Sequence, residues 1–143
     1  MKKRIKFVVF DIGGVLCNSF LIDCFEFIEN KELINLALKL KNKGYKIAIL
    51  SNRSSLSKRI VLKFTRVNLF DFVMMSCDVG VKKPKPGIYE LFLRKVRVRP
   101  KGIVFIDDKK RNLIPARKLG MNTILFKDNR QTMKELARLG VRA

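Results

Sequence analysis

Five short apolar runs, separated by segments of helical pattern and each followed by polar residues, constrain this sequence more than any other feature. They cover residues 5–10, 46–50, 72–75, 103–106 and 123–126. The runs have strand length and contain many β-branched and aromatic residues. Because they are apolar at nearly every position rather than at alternate ones, they predict strands buried on both faces, as in a parallel sheet.

The segments between these runs place apolar residues at helical spacing. In the clearest one, apolar positions 33, 36, 37 and 40 share a face, and Gly44 follows as a C-terminal stop. Similar patterns occur at 54–66, 87–97, 110–119 and 130–139, with Gly120 and Gly140 ending the last two. The alternation predicts an α/β fold with three layers, a five-stranded parallel sheet and right-handed crossovers. The length of 143 residues, without linker-like composition, predicts a single domain over 1–143.

Polar side chains follow three of the predicted strands. They are Asp11 after the first, Ser51 and Asn52 after the second, and Asp107 and Asp108 after the fourth. In a parallel sheet the carboxyl ends of the strands meet at one edge, where ligands bind. Three of only 12 acidic residues are therefore expected to cluster, and clustered carboxylates repel one another unless a cation compensates. Mg²⁺ beside a phosphate would do so, and Lys83, in the Pro-rich loop 82–86, can complete the set.

The absence of histidine excludes several kinds of catalytic site. Ser-His-Asp and Cys-His catalysis and zinc sites built on imidazole all require this residue. The three cysteines, Cys17, Cys24 and Cys77, are odd in number and lack CxxC spacing, so reduced thiols in a cytoplasmic protein are expected. No cleavage site follows the basic start, and no run reaches the roughly 18 apolar residues that span a bilayer. Secretion and membrane contact are therefore not expected.

Four motifs, in order along the chain, resemble those of the haloacid dehalogenase-like (HAD) superfamily. They are FDIGGVL at 10–16, LSN at 50–52, KKPKPGIY at 82–89 and FIDD at 105–108. The resemblance runs from about residue 6 to 126, and includes the helix after the fourth motif. It implies a Rossmann-like core and an Mg²⁺-dependent phosphatase that hydrolyses a phosphoester through an aspartyl-phosphate intermediate.

For phosphate binding and catalysis, the resemblance implies one role for each strand-end residue. Asp11 would be the nucleophile that attacks phosphorus. Ser51 would donate a hydrogen bond to the phosphoryl oxygens, and Lys83 would neutralise the nucleophile and the developing phosphoryl charge. The backbone N–H groups expected to assist belong to Gly13, Gly14 and Asn52.

For the metal, the resemblance implies direct ligation by Asp11, Asp108 and the backbone carbonyl of Gly13. Asp107 would act directly or through a water, and Asn112 would orient the acidic pair. A phosphorelay receiver domain is the main structural alternative, since it too is a five-stranded α/β protein with a phosphorylatable Asp. It is disfavoured because its acidic pair would follow the first strand and its lysine the last.

Two features depart from the pattern of this superfamily. Family phosphatases usually carry an acid/base Asp two residues after the nucleophile, where this chain has Gly13. Because such assistance contributes about 10²–10⁴-fold, its loss predicts a slower enzyme, a good leaving group or a substitute acid. Only about forty residues separate Asp11 from Ser51, so segment 17–30 can form a short flap but no helical cap. The open site would suit a bulky or macromolecular phosphoester. Alternatively, in a homo-oligomer, a neighbouring subunit would supply the lid.

The chain is strongly basic, with 32 Lys and Arg against 12 Asp and Glu and a formal net charge of +20. Solvated helix faces account for part of this excess. The remainder would attract a phosphorylated substrate or a polyanion such as nucleic acid. A second hypothesis is therefore a catalytically weak HAD-fold binding protein that recognises a phosphate-bearing or polyanionic partner.

Overall fold

A computed structural model describes residues 4–17, 28–53 and 67–143. Its strands are β1 (Phe7–Phe10), β2 (Lys46–Ser51), β3 (Phe72–Met75), β4 (Ile103–Asp107) and β5 (Asn122–Leu125). They form one parallel sheet in the order β3-β2-β1-β4-β5. The predicted five-stranded parallel sheet and its α/β class are confirmed.

Five α-helices lie in the described residues. They are α1 (Lys31–Asn42), α2 (Ser76–Val79), α3 (Pro86–Val96), α4 (Lys110–Lys118) and α5 (Asn129–Arg138). Four of them match the predicted helical patterns to within about two residues. The short helix α2 was not predicted, because four residues are too few to show a periodic pattern. The predicted helix at 54–66 and most of the predicted flap, residues 18–27, lie outside the described residues.

The sheet is buried on both faces, which explains why its strands are apolar at every position. Val8 and Phe10 pack in one cluster with residues of α1 and α5, including Leu40. Val9 packs in a second cluster with residues of α3 and α4, including Phe92. The three-layer prediction is confirmed, since successive side chains of a strand point to opposite faces and each face is covered by helices.

Two strands extend one residue beyond their apolar runs. Ser51 pairs with Met75 at the end of β2, and Asp107 pairs with Leu125 at the end of β4. Both polar side chains are therefore carried on the hydrogen-bonded ladder rather than on a loop. Rigid placement of this kind is what a functional site at a sheet edge needs.

The predicted helix stops are glycines at positive φ. Gly44, Gly120 and Gly140 have φ values of 98°, 98° and 83°. This left-handed conformation ends a helix at little steric cost only when the residue lacks a Cβ. None of the helices in the described ranges is long and apolar enough to cross a membrane.

Candidate active site

The polar residues predicted to meet lie at the carboxyl edge of the sheet. Asp11 directly follows β1, the central strand, and its backbone N–H donates to the carbonyl of Ile106 at 2.9 Å. Ser51 ends β2 on one side, and Asp107 ends β4 on the other. The crossovers change direction beside β1, so the cluster occupies the topological switch point where open α/β sheets bind ligands.

Lys83 is the cation at the centre of this cluster. Its Nζ lies 3.1 Å from Oδ1 of Asp11 and 2.8 Å from Oδ2 of Asp107, and donates to the carbonyl of Leu50 at 2.9 Å. Lys83 is only 3% exposed, whereas Lys82 and Lys85 are exposed. Of the three lysines in the loop, Lys83 is therefore the one that balances the buried carboxylates.

Asn52 fixes the backbone of Lys83. Its side-chain oxygen accepts the Lys83 N–H at 2.8 Å, and its side-chain nitrogen donates to the Lys83 carbonyl at 2.9 Å. This reciprocal pair commits the Asn52 amide to holding the Lys83 loop. The side chain of Asn52 is therefore not free for phosphate, and the backbone N–H remains the donor predicted at this position.

Asp107 and Asp108 have different environments. Asp107 is fully buried, and its two carboxylate oxygens accept from Lys83 Nζ, the Lys109 N–H and the Asn112 side chain. Oδ1 of Asp108, in contrast, is buried and has no hydrogen-bond partner among the residues that the structure describes. Asp107 therefore orients Lys83 and Asn112, while Asp108 has an oxygen available for a cation.

The acidic cluster fits a hard metal ion. Asp11, Asp107 and Asp108 each offer a carboxylate oxygen, and these oxygens lie within 4.8 Å of one another. All the donors are oxygens, which Mg²⁺ prefers. A buried carboxylate oxygen without a donor lowers the stability of the folded state. A cation bound to Oδ1 of Asp108 would satisfy this oxygen, for which the described residues provide no donor.

Gly14 provides the space that Asp108 occupies. Its φ is +81°, and a Cβ at this position would lie 2.7 Å from Cγ of Asp108. Any side chain there would displace the carboxylate. The predicted Gly13–Gly14 turn thus has a steric role beside the acidic pair. The Gly14 N–H, which was expected to assist phosphate binding, instead donates to the Cys17 carbonyl at 2.8 Å and is not free for a ligand.

Arg53 is a site residue that the sequence did not reveal. A Cβ on Gly13 would lie 2.7 Å from Nη2 of Arg53, so the guanidinium occupies the space in front of Gly13. The Arg53 backbone N–H donates to Oγ of Ser76 at 3.0 Å, and Ser76 donates back to the Arg53 carbonyl at 3.3 Å. Ser76 begins α2, so this short helix anchors the loop after β2. The one sequence signal was position, since Arg53 directly follows Ser51-Asn52.

A cavity of about 250 Å³ opens above these groups. Its lining residues are Asp11, Gly13, Ser51, Asn52, Arg53, Lys83, Asp108, Lys109 and Asn112. Gly14 and Asp107 do not line it. The structure therefore brings most of the predicted site residues to one small polar cavity, and adds Arg53 and Lys109 to them.

Burial and mutual repulsion raise the pKa of two carboxyl groups in the cluster. The pKa of Asp11 is raised mainly by burial, an effect that Lys83 opposes and Asp107 reinforces. The pKa of Asp108 is raised to about 6 by burial and by the charges of Asp11 and Asp107. One lysine does not fully compensate the acids, which is the situation expected where a metal supplies the remaining positive charge.

The cysteines do not form a nucleophilic site in the described residues. Cys17 and Cys77 are both free thiols, and Cys24 lies outside the described ranges. Burial raises the pKa of the Cys17 thiol to about 11. At neutral pH Cys17 is therefore protonated and unreactive, since the thiolate is the nucleophilic form.

A pH dependence of stability follows from the raised pKa of Asp108. Burial and the neighbouring charges let the folded protein hold the Asp108 proton up to about pH 6, whereas an unfolded Asp loses it near its ordinary pKa of 3.8. This stabilising contribution is complete below pH 3.8 and is lost as the pH rises through about 6. In EDTA, the melting temperature of the wild type is expected to fall relative to that of Asp108→Asn over this range.

Thermal melts of the two proteins at a series of pH values measure this difference. Glu90→Gln, which removes a carboxyl group from an exposed position on α3, is the matched control and should follow the wild type. A constant offset between wild type and Asp108→Asn across the pH range would contradict the assignment.

Comparison with known proteins identifies the family. The family model described as haloacid dehalogenase-like hydrolase matches residues 23–126, which include Ser51, Lys83 and the acidic pair of β4 but begin after Asp11. Bifunctional epoxide hydrolase 2 of Rattus norvegicus is 37% identical over 115 residues, covering 77% of this chain and 21% of that protein. Glyceraldehyde 3-phosphate phosphatase of Pyrococcus furiosus is 30% identical over 92 residues, covering 63% of this chain and 38% of that protein. The chain thus spans about a fifth of the length of the epoxide hydrolases that it matches.

Solved structures agree on the fold. A HAD family enzyme from Bacteroides thetaiotaomicron, in complex with magnesium and inorganic phosphate, superimposes with a TM-score of 0.78 at 20% identity. The match covers 86% of this chain and 94% of that one, so the two share a core of similar size. The family model matches most of this chain, and the polar residues lie at the expected strand ends. The chain therefore belongs to the haloacid dehalogenase-like hydrolase family.

Proposed function

We propose that this protein is an Mg²⁺-dependent phosphohydrolase that forms an aspartyl-phosphate on Asp11. The observation that carries the proposal is the position of Asp11 in the polar cavity. It is buried, paired with Lys83 at 3.1 Å, and grouped with Asp107 and Asp108 in a cluster suited to a cation. This arrangement supplies a nucleophile and positive charge at one small site, which are the main requirements of phosphoryl transfer.

The reaction consists of two displacements at phosphorus. In the first, a carboxylate oxygen of Asp11 forms a bond to phosphorus, and the bond from phosphorus to the leaving oxygen breaks with its electron pair. In the second, a water oxygen attacks the same phosphorus, the Asp11–phosphorus bond breaks, and the carboxylate is regenerated as inorganic phosphate leaves. Solvent supplies the proton for the leaving group and accepts the proton of the attacking water.

The side chains around the cavity act on the charge of the phosphoryl group. Lys83 favours the ionised form of Asp11, which is the nucleophilic form, although burial raises the Asp11 pKa. Ser51 lies in the cavity wall as a hydroxyl donor for a phosphoryl oxygen. Arg53 adds a guanidinium in front of Gly13, where it would hold an anionic oxygen of the substrate.

The residues expected to hold Mg²⁺ are Asp11, Asp108 and the carbonyl of Gly13. Asp108 is the strongest candidate, because its Oδ1 is buried without a donor while the oxygens of Asp107 are already engaged. When bound, the ion would neutralise negative charge on the phosphoryl group and on the acidic cluster. The Bacteroides enzyme described with magnesium and inorganic phosphate, and the relative named as a phosphatase, support this chemistry.

Gly13 and Arg53 together indicate the kind of substrate. Glycine cannot protonate a leaving oxygen, and the group in front of it is a permanently charged guanidinium. Hydrolysis is therefore expected to favour phosphoesters whose leaving group departs as an anion without prior protonation. An aryl phosphate satisfies this condition better than an alkyl phosphate does.

The proposal predicts turnover of p-nitrophenyl phosphate that depends on Mg²⁺. EDTA is expected to abolish phosphate release, and excess Mg²⁺ is expected to restore it. Without the ion, the negative charge of the acidic cluster is only partly balanced by Lys83. The measurement is released inorganic phosphate with a panel of aryl and alkyl phosphoesters. A parallel assay measures halide release from 2-haloacids, which is the competing reaction within the family. Release of halide but no phosphate, or phosphate release unaffected by EDTA, would overturn the proposal.

A further inference from the structure

A second and larger cavity lies at the opposite edge of the sheet from the candidate active site. Its volume is about 670 Å³. It lies where β1 and β4 begin, between the residues before β1, segment 97–102 after α3, and the Leu119-Gly120 turn after α4. The candidate active site uses none of these residues.

The rim of this cavity is positively charged. Five basic residues line it and form what is called the basic rim: Arg4, Lys6, Arg97, Arg99 and Lys101. All five are exposed, and among the described residues none that lines the cavity is acidic. Within the described part of the chain, none of the five forms an ion pair. Their mutual repulsion is therefore uncompensated, and an anionic ligand would relieve it.

The floor of the cavity is apolar and closely packed. Val98, Pro100 and Leu119 contribute to it. A Cβ at Gly102 would lie 2.9 Å from Cγ1 of Val98, so only glycine permits this close approach. A ligand for this cavity would therefore carry negative charge for the rim and an apolar part for the floor.

Arg97 has an unfavourable backbone conformation at this rim. It is the one non-glycine residue with positive φ in the described ranges, at +53°, and it ends α3 by donating its N–H to the Leu93 carbonyl at 3.0 Å. Glycine or asparagine adopts this conformation more readily. The chain instead has a long cation here, despite the conformational cost of positive φ.

The positive charge also continues along the edge of the molecule. The last turn of α3 carries Arg94 and Lys95, and the last turn of α4 carries Arg117 and Lys118. Cations at helix C-termini are favoured by the helix dipole, which accounts for these four. It does not account for Arg4, Lys6, Arg99 and Lys101, which lie outside the α-helices. The basic rim is therefore a feature of the edge itself.

We propose that this edge binds single-stranded nucleic acid, with phosphates on the basic rim and a base against the apolar floor. A row of exposed cations matches a chain of phosphates, whereas a site for one phosphate would be expected to bury a cation. A duplex keeps its bases paired inside, and so offers the floor nothing to contact. The site is separate from the proposed phosphohydrolase function, and does not depend on it.

Fluorescence anisotropy with a labelled oligouridylate of about 12 nucleotides, a typical length for a single-strand site, tests the proposal. The full chain is expected to bind with an affinity that falls as salt rises. The variant Arg97→Gly/Arg99→Ala/Lys101→Ala should lower the affinity at low salt by at least about tenfold and reduce the salt slope by about 2, at roughly 0.7 per phosphate contact. Lys31→Ala/Arg130→Ala/Lys134→Ala removes the same charge from exposed helix positions and is the matched control.

Two single variants test whether the oligonucleotide binds at the basic rim rather than in the candidate active site. Arg97→Gly alone should weaken binding without lowering the melting temperature, because glycine suits its backbone conformation. Asp11→Asn should bind the oligonucleotide like the wild type, whatever its activity. The proposal is overturned by absence of binding at low salt, by equal losses in the two triple variants, or by equally tight binding of a duplex. Binding to anionic vesicles in preference to the oligonucleotide would also overturn it, and would indicate a membrane surface instead.

Discussion

Asp11→Asn is expected to lose turnover of p-nitrophenyl phosphate by at least about 10³-fold, with the protein still folded. Loss of a covalent nucleophile has among the largest effects of any single substitution in an enzyme. The amide has almost the same shape as the carboxylate and can still contact Lys83 Nζ, which lies 3.1 Å from the Asp11 oxygen. The loss should therefore appear in kcat, while the cavity and its other donors remain.

The same substitution should leave the fold intact or stabilise it when no metal is present. Burial raises the pKa of Asp11, so the folded state disfavours its charged form relative to water. A neutral side chain removes that penalty above the ordinary Asp pKa, and Lys83 keeps Asp107 as its partner. In EDTA at neutral pH, the melting temperature of Asp11→Asn is expected to equal or exceed that of the wild type.

Phosphate-release kinetics and thermal melts of the same preparations measure both effects. Glu90→Gln removes an exposed carboxyl group outside the cavity and should match the wild type in both assays. If Asp11→Asn retains wild-type kcat, another group is the nucleophile and the aspartyl-phosphate mechanism is wrong. If it loses activity only because it unfolds, the melts reveal this.

The sequence contained enough information to predict the sheet and the edge that carries the site. Fully apolar runs require burial on both faces, and parallel strands bring their carboxyl ends together, so the proximity of Asp11, Ser51 and Asp107 followed from topology alone. The helix ends were also predictable, because Gly120 and Gly140 act through local conformation. The roles of these residues in catalysis remain predictions.

Contacts between side chains distant in the chain could not be predicted. The resemblance singled out Lys83 among the lysines of the loop 82–86, but the pair of hydrogen bonds by which Asn52 holds the Lys83 backbone could not be predicted from the residues of the loop. The guanidinium of Arg53 against Gly13 depends on Ser76, more than twenty residues farther along the chain. Both contacts depend on how distant segments of the chain pack together, and the periodicity of a sequence carries no information about that.

Lys83→Met is expected to have the second large effect, on activity and stability together. The substitution removes the ammonium from Asp11, Asp107 and the Leu50 carbonyl, leaving two buried carboxylates without their cation. Breaking a buried ion pair in this way costs about 3–5 kcal/mol of unfolding free energy. Loss of the charge that stabilises the transferring phosphoryl group should lower kcat by a further factor of about 10²–10³.

A double variant tests whether the stability loss comes from unpaired charge. In Lys83→Met/Asp11→Asn, one of the two uncompensated carboxylates is gone, so part of the stability lost in Lys83→Met should return. The two substitutions should therefore be strongly non-additive in denaturant unfolding, as expected for residues in direct contact. If the lost stability came from side-chain packing, Asp11→Asn would raise the stability of Lys83→Met by no more than it raises that of the wild type.

Lys82→Met distinguishes the buried lysine from general effects of removing charge. Lys82 precedes Lys83 in the same loop, but it is exposed, whereas Lys83 is 3% exposed. Both variants lower the net charge by one and add the same side chain, so any effect of charge on substrate attraction appears equally in both. Only Lys83→Met should lose stability and kcat. Equal losses in the two variants, or additive behaviour in the double-variant cycle, would show that the Lys83 ion pairs do not organise the site.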